Sequence, residues 1–469
     1  MLKIKNTLTG QLEEFKPIKK NGVSFYQCGP TVYWTQHIGN LRGMTWGDLI
    51  VRVFKFNGYD VVHVRNYTDV GHLTSDTDEG EDKMEKGAKR ENATPQEIAE
   101  KYIKIFEEDT RALNLLEPSF KPRATGHIQE MIEMVKKLVD KGFAYSTDLA
   151  IYFETSKAKD YTRLSGQKLE ENIAGAGIGD MNDPAKRNPA DFVLWFFKAG
   201  KHKNALQHWP SPFKSPLVEN GEGFPGWHIE CSAMSKKYLE ESFDVHMGGI
   251  EHIPVHHTNE IAQSESANGA PFVKYWIHNE HLTVEGQKMA KSEGTAFSLA
   301  EVKEKGFSPM ALRYFFLQAH YRSKQNFTWE ALGAAQNGLE HLYNQIRQLG
   351  TEIGDIDDDL KNKFLEAVSD DFNVPQGLAL IPELLKSDLK NEDKLATLFE
   401  FDKVLGLEFK AVLSQSQKLI PESVKKLVQT REEMRQKKDW AEADKLRVQI
   451  EQLGYTVEDT TYGPFIKKF

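Results

Sequence analysis

Apolar and polar positions at the start of the chain follow a strand pattern, then a helix pattern, then a second strand pattern. Val23–Gln27 alternates like a half-buried strand, and Cys28-Gly-Pro-Thr interrupts it. From about Gly39 to Asn57 apolar residues recur at helical spacing, and Gly58 follows as a stop signal. Val61–Val64 is more continuously apolar, as in a buried strand. Strand, helix and strand in this order predict a parallel, Rossmann-like sheet.

The next part of the pattern predicts an insertion into this sheet domain. Two helices are expected, over Pro95–Leu115 and His127–Lys141. Residues 142–225 mix short strand patterns with Gly- and Pro-rich loops, among them Ala174–Asp180, which indicates an inserted domain. Strand-like alternation resumes around Phe243–His246, where we expect the sheet domain to continue.

The second part of the chain is mostly helical in pattern. Helical spacing extends from about Pro309 to Glu408, and residues 412–421 resemble a linker. The segment Glu422–Gln452 is strongly helical in pattern, and a short strand is expected at Tyr455–Asp459. We therefore predict an α/β fold, in which a Rossmann-like parallel-sheet domain with an inserted domain precedes a helical bundle and a small C-terminal domain. The expected boundaries are 1–115 and 206–285 for the two halves of the sheet domain, 116–205 for the insertion, 286–330 for a linking region, 331–410 for the bundle and 411–469 for the C-terminal domain.

Composition narrows the class of protein. With 39% hydrophobic and 28% charged residues, the 469-residue chain is not a disordered protein. No apolar run approaches the ~18 residues of a membrane span, and the amino terminus lacks the apolar core of a signal peptide. Cys28 and Cys231 are the only cysteines, so a disulfide framework is excluded and a reducing, cytoplasmic location is expected.

Charge is unevenly distributed along the chain. The net charge of −9 argues against a general nucleic-acid coat. Residues 411–469 contain 11 Lys or Arg and 9 Asp or Glu and so carry +2, which leaves −11 for the first 410 residues. Any polyanion is therefore expected near the C-terminal segment. The acidic stretch Ser75–Asp82 has no function that its sequence defines.

The motif His37-Ile-Gly-Asn40 lies directly after the first predicted strand, where a helix begins. A helix N-terminus offers free backbone N–H groups and a positive dipole end, which suit a phosphate. Gly39 would let a ring or phosphate approach the backbone, and His37 and Asn40 would project from the same side of the first turn. The alternative is an ordinary helix start with a surface histidine.

A second motif, Lys288-Met-Ala-Lys291-Ser292, lies between Gly286 and Gly294. Two lysines in a glycine-bounded loop can neutralise charge on a triphosphate as pyrophosphate leaves. The alternative is a solvated, charged loop. A HIGH-like motif followed about 250 residues later by a KMSKS-like motif, on an α/β framework, resembles a class I aminoacyl-tRNA synthetase. Other HIGH-type nucleotidyltransferases share part of this pattern.

Both cysteines belong to a candidate metal site. Cys28, Cys231, His256 and Glu260 offer two thiols, an imidazole and a carboxylate, a set acceptable to zinc. His256 and Glu260 are one helical turn apart, so both can face one ion. His257 is an alternative ligand that spacing does not exclude. The alternative for the cysteines is a role as small buried core residues.

Nine sequence blocks, in order, resemble the cysteinyl-tRNA synthetase family over nearly the whole chain. They are Cys28-Gly-Pro-Thr-Val-Tyr33, His37-Ile-Gly-Asn40, Arg65-Asn-Tyr-Thr-Asp69, Gly226-Trp-His-Ile-Glu-Cys-Ser-Ala-Met234, His256-His-Thr-Asn-Glu260, Lys288-Met-Ala-Lys-Ser292, Ala319-His-Tyr-Arg322, Asp370-Asp-Phe-Asn373 and Lys438-Asp-Trp-Ala-Glu-Ala-Asp444. The block around Cys231 is the most specific to the family. Asn40, Glu251 and Met247 depart from the family pattern.

The resemblance implies a role for each candidate residue. Cys28, Cys231, His256 and Glu260 would hold one Zn²⁺, which selects cysteine over serine by binding the thiolate. The cysteine pocket would be completed by Gly29, Thr68, Trp227, His246 and Glu251. His37, Gly39, Asn40, Lys288 and Lys291 would position ATP and its Mg²⁺. Trp440, Asp444 and Asp459 would contact the tRNA anticodon.

The implied activity is ATP-dependent charging of tRNA-Cys with L-cysteine, by a cytoplasmic protein that is expected to be monomeric and to have no membrane partner. One alternative is the related ligase that joins cysteine to an amino sugar in mycothiol synthesis, which resembles only the catalytic part. The other is a paralogue that binds tRNA without charging it. The segment 411–469 argues against the first alternative, and the intact Cys28, Cys231, Lys288 and Lys291 argue against the second.

Overall fold

The computed structural model of the chain describes residues 1–71, 82–166, 183–289, 295–419, 421–460 and 463–468. These residues form two compact units. The α/β unit comprises Met1–Pro309, Ala319–Thr328 and Ser369–Phe372, and the helical unit comprises Met310–Gln318, Trp329–Val368 and Asn373–Phe469. The predicted α/β fold with a mostly helical second part is therefore confirmed, and the predicted domain boundaries stay predictions.

A four-stranded parallel sheet forms the centre of the α/β unit. Its strands are β3 (Gly22–Gln27), β4 (Asp60–Arg65), β9 (Phe243–Gly249) and β10 (Val273–Asn279), in the order β10-β9-β3-β4. Every pairing is parallel. Since the carboxyl ends of parallel strands share one edge, the residues that follow β3, β4 and β9 lie at the same side of the sheet. The predicted Rossmann-like core is confirmed.

The helix between β3 and β4 covers Ile38–Phe56, close to the predicted range. It starts at His37, whose ring accepts a hydrogen bond from the Asn40 backbone, and it ends at Asn57. Other helices of the α/β unit are Lys83–Glu91, Pro95–Ala112, Ile128–Asp140, Trp227–Leu239, Thr258–Asn268 and Leu299–Glu304. The predicted helix from Pro95 ends three residues early because Asn114 adopts a left-handed conformation, with φ of 54°.

The predicted insertion contains its own antiparallel sheet. Its strands, in order, are β5 (Ala144–Ser146), β6 (Ala150–Phe153), β7 (Phe192–Phe197) and β8 (Gly223–Pro225). Every residue of β7 is buried, so both faces of this sheet are covered. The predicted loop Ala174–Asp180 lies outside the described residues, as does nearly all of the acidic stretch Ser75–Asp82.

Two smaller sheets complete the α/β unit. Strands β1 (Lys3–Asn6) and β2 (Gln11–Glu14) form a hairpin. Strands β11 (Leu282–Val284), β12 (Gln287–Lys288) and β13 (Gln325–Phe327) form the other sheet, in the order β12-β11-β13. Strand β12 therefore carries the start of the predicted lysine motif.

The helical unit agrees with the predicted pattern except at one place. Its helices are Pro309–Leu317, Trp329–Gln348, Asp358–Ser369, Val374–Leu378, Leu380–Lys386, Asn391–Leu405, Phe409–Leu419, Glu422–Gln436 and Trp440–Gln452. Strands β14 (Tyr455–Thr460) and β15 (Gly463–Lys468) form a hairpin, so the predicted strand near Tyr455 is confirmed. No helix among the described residues is long and apolar enough to cross a membrane.

One prediction in this unit is wrong. The predicted linker over 412–421 is mostly helix, because Val412 and Leu413 are buried and helical packing overrides the small polar residues that follow. The predicted helical character of 422–452 is confirmed, and the segment forms two helices. Lys438 takes a left-handed conformation, with φ of 63°, and Asp439 starts the second helix by accepting from the Glu442 backbone.

Candidate functional site

A cavity of about 390 Å³ lies at the carboxyl edge of the central parallel sheet. It is formed where β3 and β4 end and where the helix from Trp227 begins. The predicted site residues that line it are Cys28, Gly29, His37, Gly39, Asn40, Thr68, Trp227, Cys231, Glu251 and His256. The sheet topology thus brings together two of the predicted motifs and most of the predicted pocket.

The predicted metal ligands form one compact cluster at the cavity wall. The ligand atoms of Cys28, Cys231, His256 and Glu260 all lie within 4.8 Å of one another, and all four residues are buried. His256 Nε2 is 3.0 Å from Glu260 Oε1. His256 belongs to a turn of π-helix, Ile253–His257, that runs directly into the helix carrying Glu260. The cluster therefore has the donor types and spacing of a metal site.

His257, the rival ligand, belongs to a second set of donors. Cys28, His246, His257 and Glu260 also lie within 4.8 Å of one another. Cys28 Sγ is 3.4 Å from His257 Nε2, and His257 Nδ1 is 2.7 Å from His278 Nε2. His257 does not line the cavity, whereas His256 does. A metal ion bound by the set with His256 and Cys231 would therefore be accessible to a small molecule in the cavity. This makes that set the better candidate.

The cluster is an anionic site in a buried setting. A hydrogen bond from the Cys28 thiol lowers the pKa of Cys231 to about 6, against the opposing effect of burial. Burial raises the pKa of Cys28, which keeps that thiol protonated. Burial also acts to raise the pKa of Glu260, but His246 and His256 outweigh it and bring that pKa to about 2. One thiolate and one carboxylate thus face each other. Burial acts to lower the pKa of His256, but Glu260 and Cys231 outweigh it and raise that pKa to about 10. The two anions therefore favour a cation, either the His256 imidazolium or a metal ion in its place.

The two carboxylate oxygens of Glu260 differ, since one is hydrogen-bonded and the other is not. Its Oε2 lies 3.0 Å from His246 Nε2, in a hydrogen bond that fixes the carboxylate. Its Oε1 is buried and makes no hydrogen bond of usable geometry, although His256 is close. A buried carboxylate oxygen without a hydrogen bond is costly unless something else satisfies it. A metal ion between Glu260 and the two sulfurs would do so.

His246 has a different environment from the one that the resemblance implies. The implied contact is with the substrate, but His246 is fully buried beneath the cluster and does not line the cavity. Its ring stacks on Trp276 at 4.7 Å. The geometry makes it a support for Glu260, and its contact with substrate stays a prediction.

Two histidines near the cluster are absent from the set of residues predicted by sequence. His228 Nδ1 lies 3.0 Å from His256 Nδ1, and His252 lines the cavity with its ring 5.2 Å from that of His256. Their sequence spacing from the metal candidates could have indicated both histidines. His228 precedes Cys231 by three residues on one helix, and His252 precedes His256 by four, so each falls on the side of its element that carries a ligand.

The His37–Asn40 motif forms a helix N-terminus at another part of the cavity. His37 Nδ1 accepts from the Asn40 backbone N–H at 3.2 Å, so the imidazole caps the helix. A side chain at Gly39 would lie 3.0 Å from the His37 ring and 3.1 Å from Met289 Sδ. A larger residue at position 39 would therefore crowd the side chains of His37 and Met289, which directly follows β12. His37, Gly39 and Asn40 all line the cavity, and their contact with ATP stays a prediction.

The remaining predicted pocket residues also line the cavity. The Trp227 indole lies over the His256 ring at 4.2 Å. Thr68 is buried and accepts from Asn66 Nδ2 at 3.2 Å. Gly29 has a structural reason to be glycine, since a Cβ there would lie 1.6 Å from the Asn66 carbonyl oxygen. Glu251 Oε2 is 3.6 Å from His281 Nδ1.

The other predicted residues belong to other elements or lie outside the described residues. Lys288 is the last residue of β12, and Lys291 lies outside the described residues. Trp440, in the helical unit, is 57% exposed, with the Arg435 guanidinium 5.7 Å from its ring centre. Asp444 is exposed on the same helix, and Asp459 is on β14.

Comparison with known proteins identifies both parts of the chain. Residues 14–337 match the model of the class I (C) tRNA synthetase catalytic domain, and residues 418–463 match that of the cysteinyl-tRNA ligase anticodon-binding domain. The methionyl-tRNA synthetase of Mycobacterium tuberculosis, solved with methionyl-adenylate, is similar with a TM-score of 0.55 at 15% identity. It covers 86% of this chain and 92% of its own, and that likeness establishes the fold alone.

Curated relatives extend the match over nearly the full length. The "Cysteine--tRNA ligase 1" of Burkholderia lata is 44% identical over 98% of this chain and 96% of its own. The cysteine–tRNA ligase of Treponema denticola is 41% identical over 98% of both chains, and that of Thermus thermophilus is 42% identical over 99% and 98%. With the catalytic and anticodon-binding models both matched, and relatives of this identity over both chains, the protein belongs to the cysteine–tRNA ligase family of class I synthetases.

Proposed function

We propose that the protein activates L-cysteine with ATP and transfers it to tRNA-Cys, and that the cluster of Cys28, Cys231, His256 and Glu260 selects the amino acid. The observation that carries this proposal is the shared cavity. Two buried sulfurs, an imidazole and a carboxylate form one part of its wall, and the His37–Asn40 helix start forms another. A thiol-selective site therefore opens into the same space as a phosphate-binding site.

The metal would be Zn²⁺, one per chain. Sulfur, nitrogen and carboxylate donors suit zinc better than magnesium or calcium, which prefer oxygen alone. Zinc, when bound, would lower the pKa of the substrate thiol and bind it as thiolate, which a serine hydroxyl does not match. Shape by itself discriminates such pairs by only ~1–3 kcal/mol, so a chemical difference is the stronger basis for selection.

Within this proposal each residue of the cysteine pocket has a distinct role. His246 holds Glu260, and Trp227 covers His256 on the side of the cavity. Thr68, Gly29 and Glu251 would contact the amino and carboxylate groups of cysteine. A pocket that holds these groups fixes the carboxylate for attack on the α-phosphate of ATP.

ATP would be held at the helix start. His37 and Asn40 flank Gly39, where the backbone is accessible from the cavity. The proposed partners of the phosphates are Lys288 and Lys291, which together with Mg²⁺ would stabilise the charge that develops as pyrophosphate leaves. No covalent enzyme intermediate is needed, because positioning and electrostatics suffice for this displacement.

Recognition of the tRNA would involve the C-terminal part of the chain. The exposed Trp440 can stack on an unpaired base, and Asp444 and Asp459 can accept hydrogen bonds from base edges. We also propose that the protein is monomeric and works in the cytoplasm, where its two free cysteines would stay reduced. The match to an anticodon-binding domain favours tRNA over the amino sugar of the mycothiol ligase as the acceptor.

The test combines three assays on one preparation. We expect ATP–pyrophosphate exchange with cysteine but not serine, charging of tRNA-Cys, and about one zinc per chain. Exchange without charging would instead indicate a small-molecule ligase. Absence of exchange, despite bound zinc and tight tRNA binding, would indicate a non-catalytic binder.

A variant isolates the metal cluster. Cys231→Ser should abolish bound zinc and cysteine activation while tRNA binding stays largely intact. Met234→Leu is a matched control, because it lies on the same helix, is buried and keeps its volume. Full activity in metal-free Cys231→Ser protein would refute the proposed role of the thiolate.

A further inference from the structure

An exposed tryptophan lies at the rim of the cavity, and the proposed function gives it no role. Trp34 is 38% exposed, although it is one of the largest apolar side chains. Its chain neighbours Tyr33 and Thr35 both line the cavity. The bend of this loop is fixed by Gln36, whose side-chain amide donates to the carbonyls of Thr31 and Trp34, each at 3.2 Å. This hydrogen-bonded loop thus holds Trp34 at the entrance of the cavity.

A guanidinium group lies against the indole. The Arg90 guanidinium carbon is 3.8 Å from the centre of the Trp34 ring. Its Nη2 contacts the Tyr33 carbonyl at 3.0 Å, Glu91 Oε1 at 2.8 Å and the Tyr102 hydroxyl at 3.1 Å. The Tyr102 ring is nearly parallel to the indole, 6.3 Å away and tilted by 17°. These contacts hold the cation, and with it the tryptophan, in one orientation.

The helix that carries Arg90 is basic and reaches the cavity. Helix Lys83–Glu91 contains Lys83, Lys86, Lys89 and Arg90 against Glu85 and Glu91, a net charge of +2. Lys83 lines the cavity, and its Nζ is 5.9 Å from the centre of the Trp227 ring. Lys86 and Lys89 are exposed. The rim therefore combines a fixed aromatic plane with cations, the combination that binds single-stranded nucleic acid.

We propose that Trp34 and Arg90 form a stacking platform for an unpaired base at the 3′ end of the tRNA. The inference rests on the proposed function. Transfer requires the terminal ribose to enter the cavity, so the adjacent unpaired nucleotides must cross its rim. Bases that are not paired stack readily on a tryptophan plane, and the neighbouring lysines neutralise the phosphates that follow.

Two competing roles for Trp34 would give different experimental results. Trp34 could serve only to cover Arg90, in which case its loss would affect stability and no substrate in particular. It could also bind the adenine of ATP, in which case its loss would affect ATP in the absence of tRNA. If Trp34 is part of the platform, its loss should weaken only the binding of tRNA, and only of tRNA with an intact 3′ end.

The first test uses Trp34→Ala and Trp34→Phe in the full-length enzyme. Trp34→Ala should raise the KM for tRNA-Cys in charging about 5- to 100-fold, and Trp34→Phe should recover most of the loss. ATP–pyrophosphate exchange, with its KM for ATP and cysteine, should not change. Phe120→Ala is the control, because Phe120 is another exposed aromatic of this unit and does not line the cavity.

The second test locates the contact on the RNA. Trp34→Ala should weaken binding of intact tRNA-Cys but not of tRNA-Cys lacking its unpaired 3′ nucleotides. In the unaltered enzyme, 5-iodocytidine next to the terminal adenosine should cross-link to Trp34, a readout that needs no variant to fold. An increased KM for ATP in exchange, an equal loss with truncated tRNA, or cross-linking only elsewhere would overturn the platform. Lack of exchange and charging by the unaltered enzyme would refute the proposed function instead.

Discussion

The imidazoles of His228 and His256 meet through their Nδ1 atoms, 3.0 Å apart, and both side chains are buried. Burial holds the pKa of His228 well below its ordinary value, so this ring is neutral and can accept a hydrogen bond. If His256 binds metal through Nε2, its Nδ1 carries the hydrogen and donates it to His228. His228 would then fix the tautomer and orientation of the ligand.

We predict that His228→Phe lowers zinc affinity about 10- to 100-fold, because it keeps an aromatic ring but removes the acceptor. Competition with a chromogenic chelator measures the affinity. His228→Asn, which retains an acceptor, should recover part of it. Unchanged affinity in His228→Phe would show that the contact does not support the ligand.

A second prediction separates the rival ligands. His256→Ala should remove zinc and cysteine activation, whereas His257→Ala should keep about one zinc per chain, because only His256 lines the cavity together with Cys231. The two variants delete the same buried ring from adjacent positions, so each controls for the other. Metal analysis after dialysis is the measurement, and the reverse result would place the ion in the set with His246 and His257.

Much of this site could be predicted from the sequence, because its chemistry is concentrated in short motifs. Residue type and spacing indicate the four metal candidates, and the fold brings all four together. The position of His246 could not be predicted in that way. It comes from β9, and only the pairing of β9 beside β3 places it under Glu260. Periodicity shows which face of a strand is buried but not which residue it meets.

The wrong linker prediction and the break before Trp440, which was not predicted, have local causes. The break had a visible signal, since Asp439 followed by Glu442 is a helix-start pattern. The helix over the predicted linker had a weaker one. The polar run after Leu413 suggests a loop, and only burial of Val412 and Leu413 favours helix. Local composition does not report such packing.

A third prediction concerns acid sensitivity. His63 is buried against Phe25, at 5.0 Å between ring centres, and its Nε2 has no hydrogen-bond partner among the described residues. Burial, with Arg65 nearby, lowers the pKa of His63 to about 3. In the unfolded chain the pKa is about 6.5, so between these values the unfolded state binds a proton that the folded state does not. Stability therefore falls as the pH drops below about 6.5.

His63→Leu should remove this dependence. The unfolding free energy of the variant minus that of the parent protein should be about 2 kcal/mol more positive at pH 5 than at pH 8. Urea unfolding at the two pH values measures this difference, and any change in packing against Phe25 cancels from it. His341→Leu, at an exposed position, is the control. An equal effect of His63→Leu at both pH values would contradict the prediction.

The fourth prediction concerns Arg42, which is fully buried on the helix that starts at His37. Its guanidinium donates to the Gln325 side chain at 3.0 Å and to the carbonyls of Glu280, His320 and Ser323 at 2.6, 3.0 and 3.0 Å. Gln325 belongs to β13, which pairs with β11, the neighbour of β12 and Lys288. Arg42 therefore joins the element that carries His37 and Asn40 to the sheet that carries the first lysine of the other motif.

Arg42→Met should lower the unfolding free energy by about 3 kcal/mol or more, because it removes a fully buried guanidinium that makes four hydrogen bonds, one of them to the buried Gln325 side chain. Arg42→Lys keeps the charge but cannot reach all four acceptors, so its loss should be intermediate. Arg111→Met, at an exposed position, should be nearly neutral. Urea unfolding measures the stabilities, and exchange kinetics should show a lower kcat in Arg42→Met at a temperature where the protein stays folded. A destabilisation no larger than that of Arg111→Met would mean that the four contacts do not hold the two motifs in place.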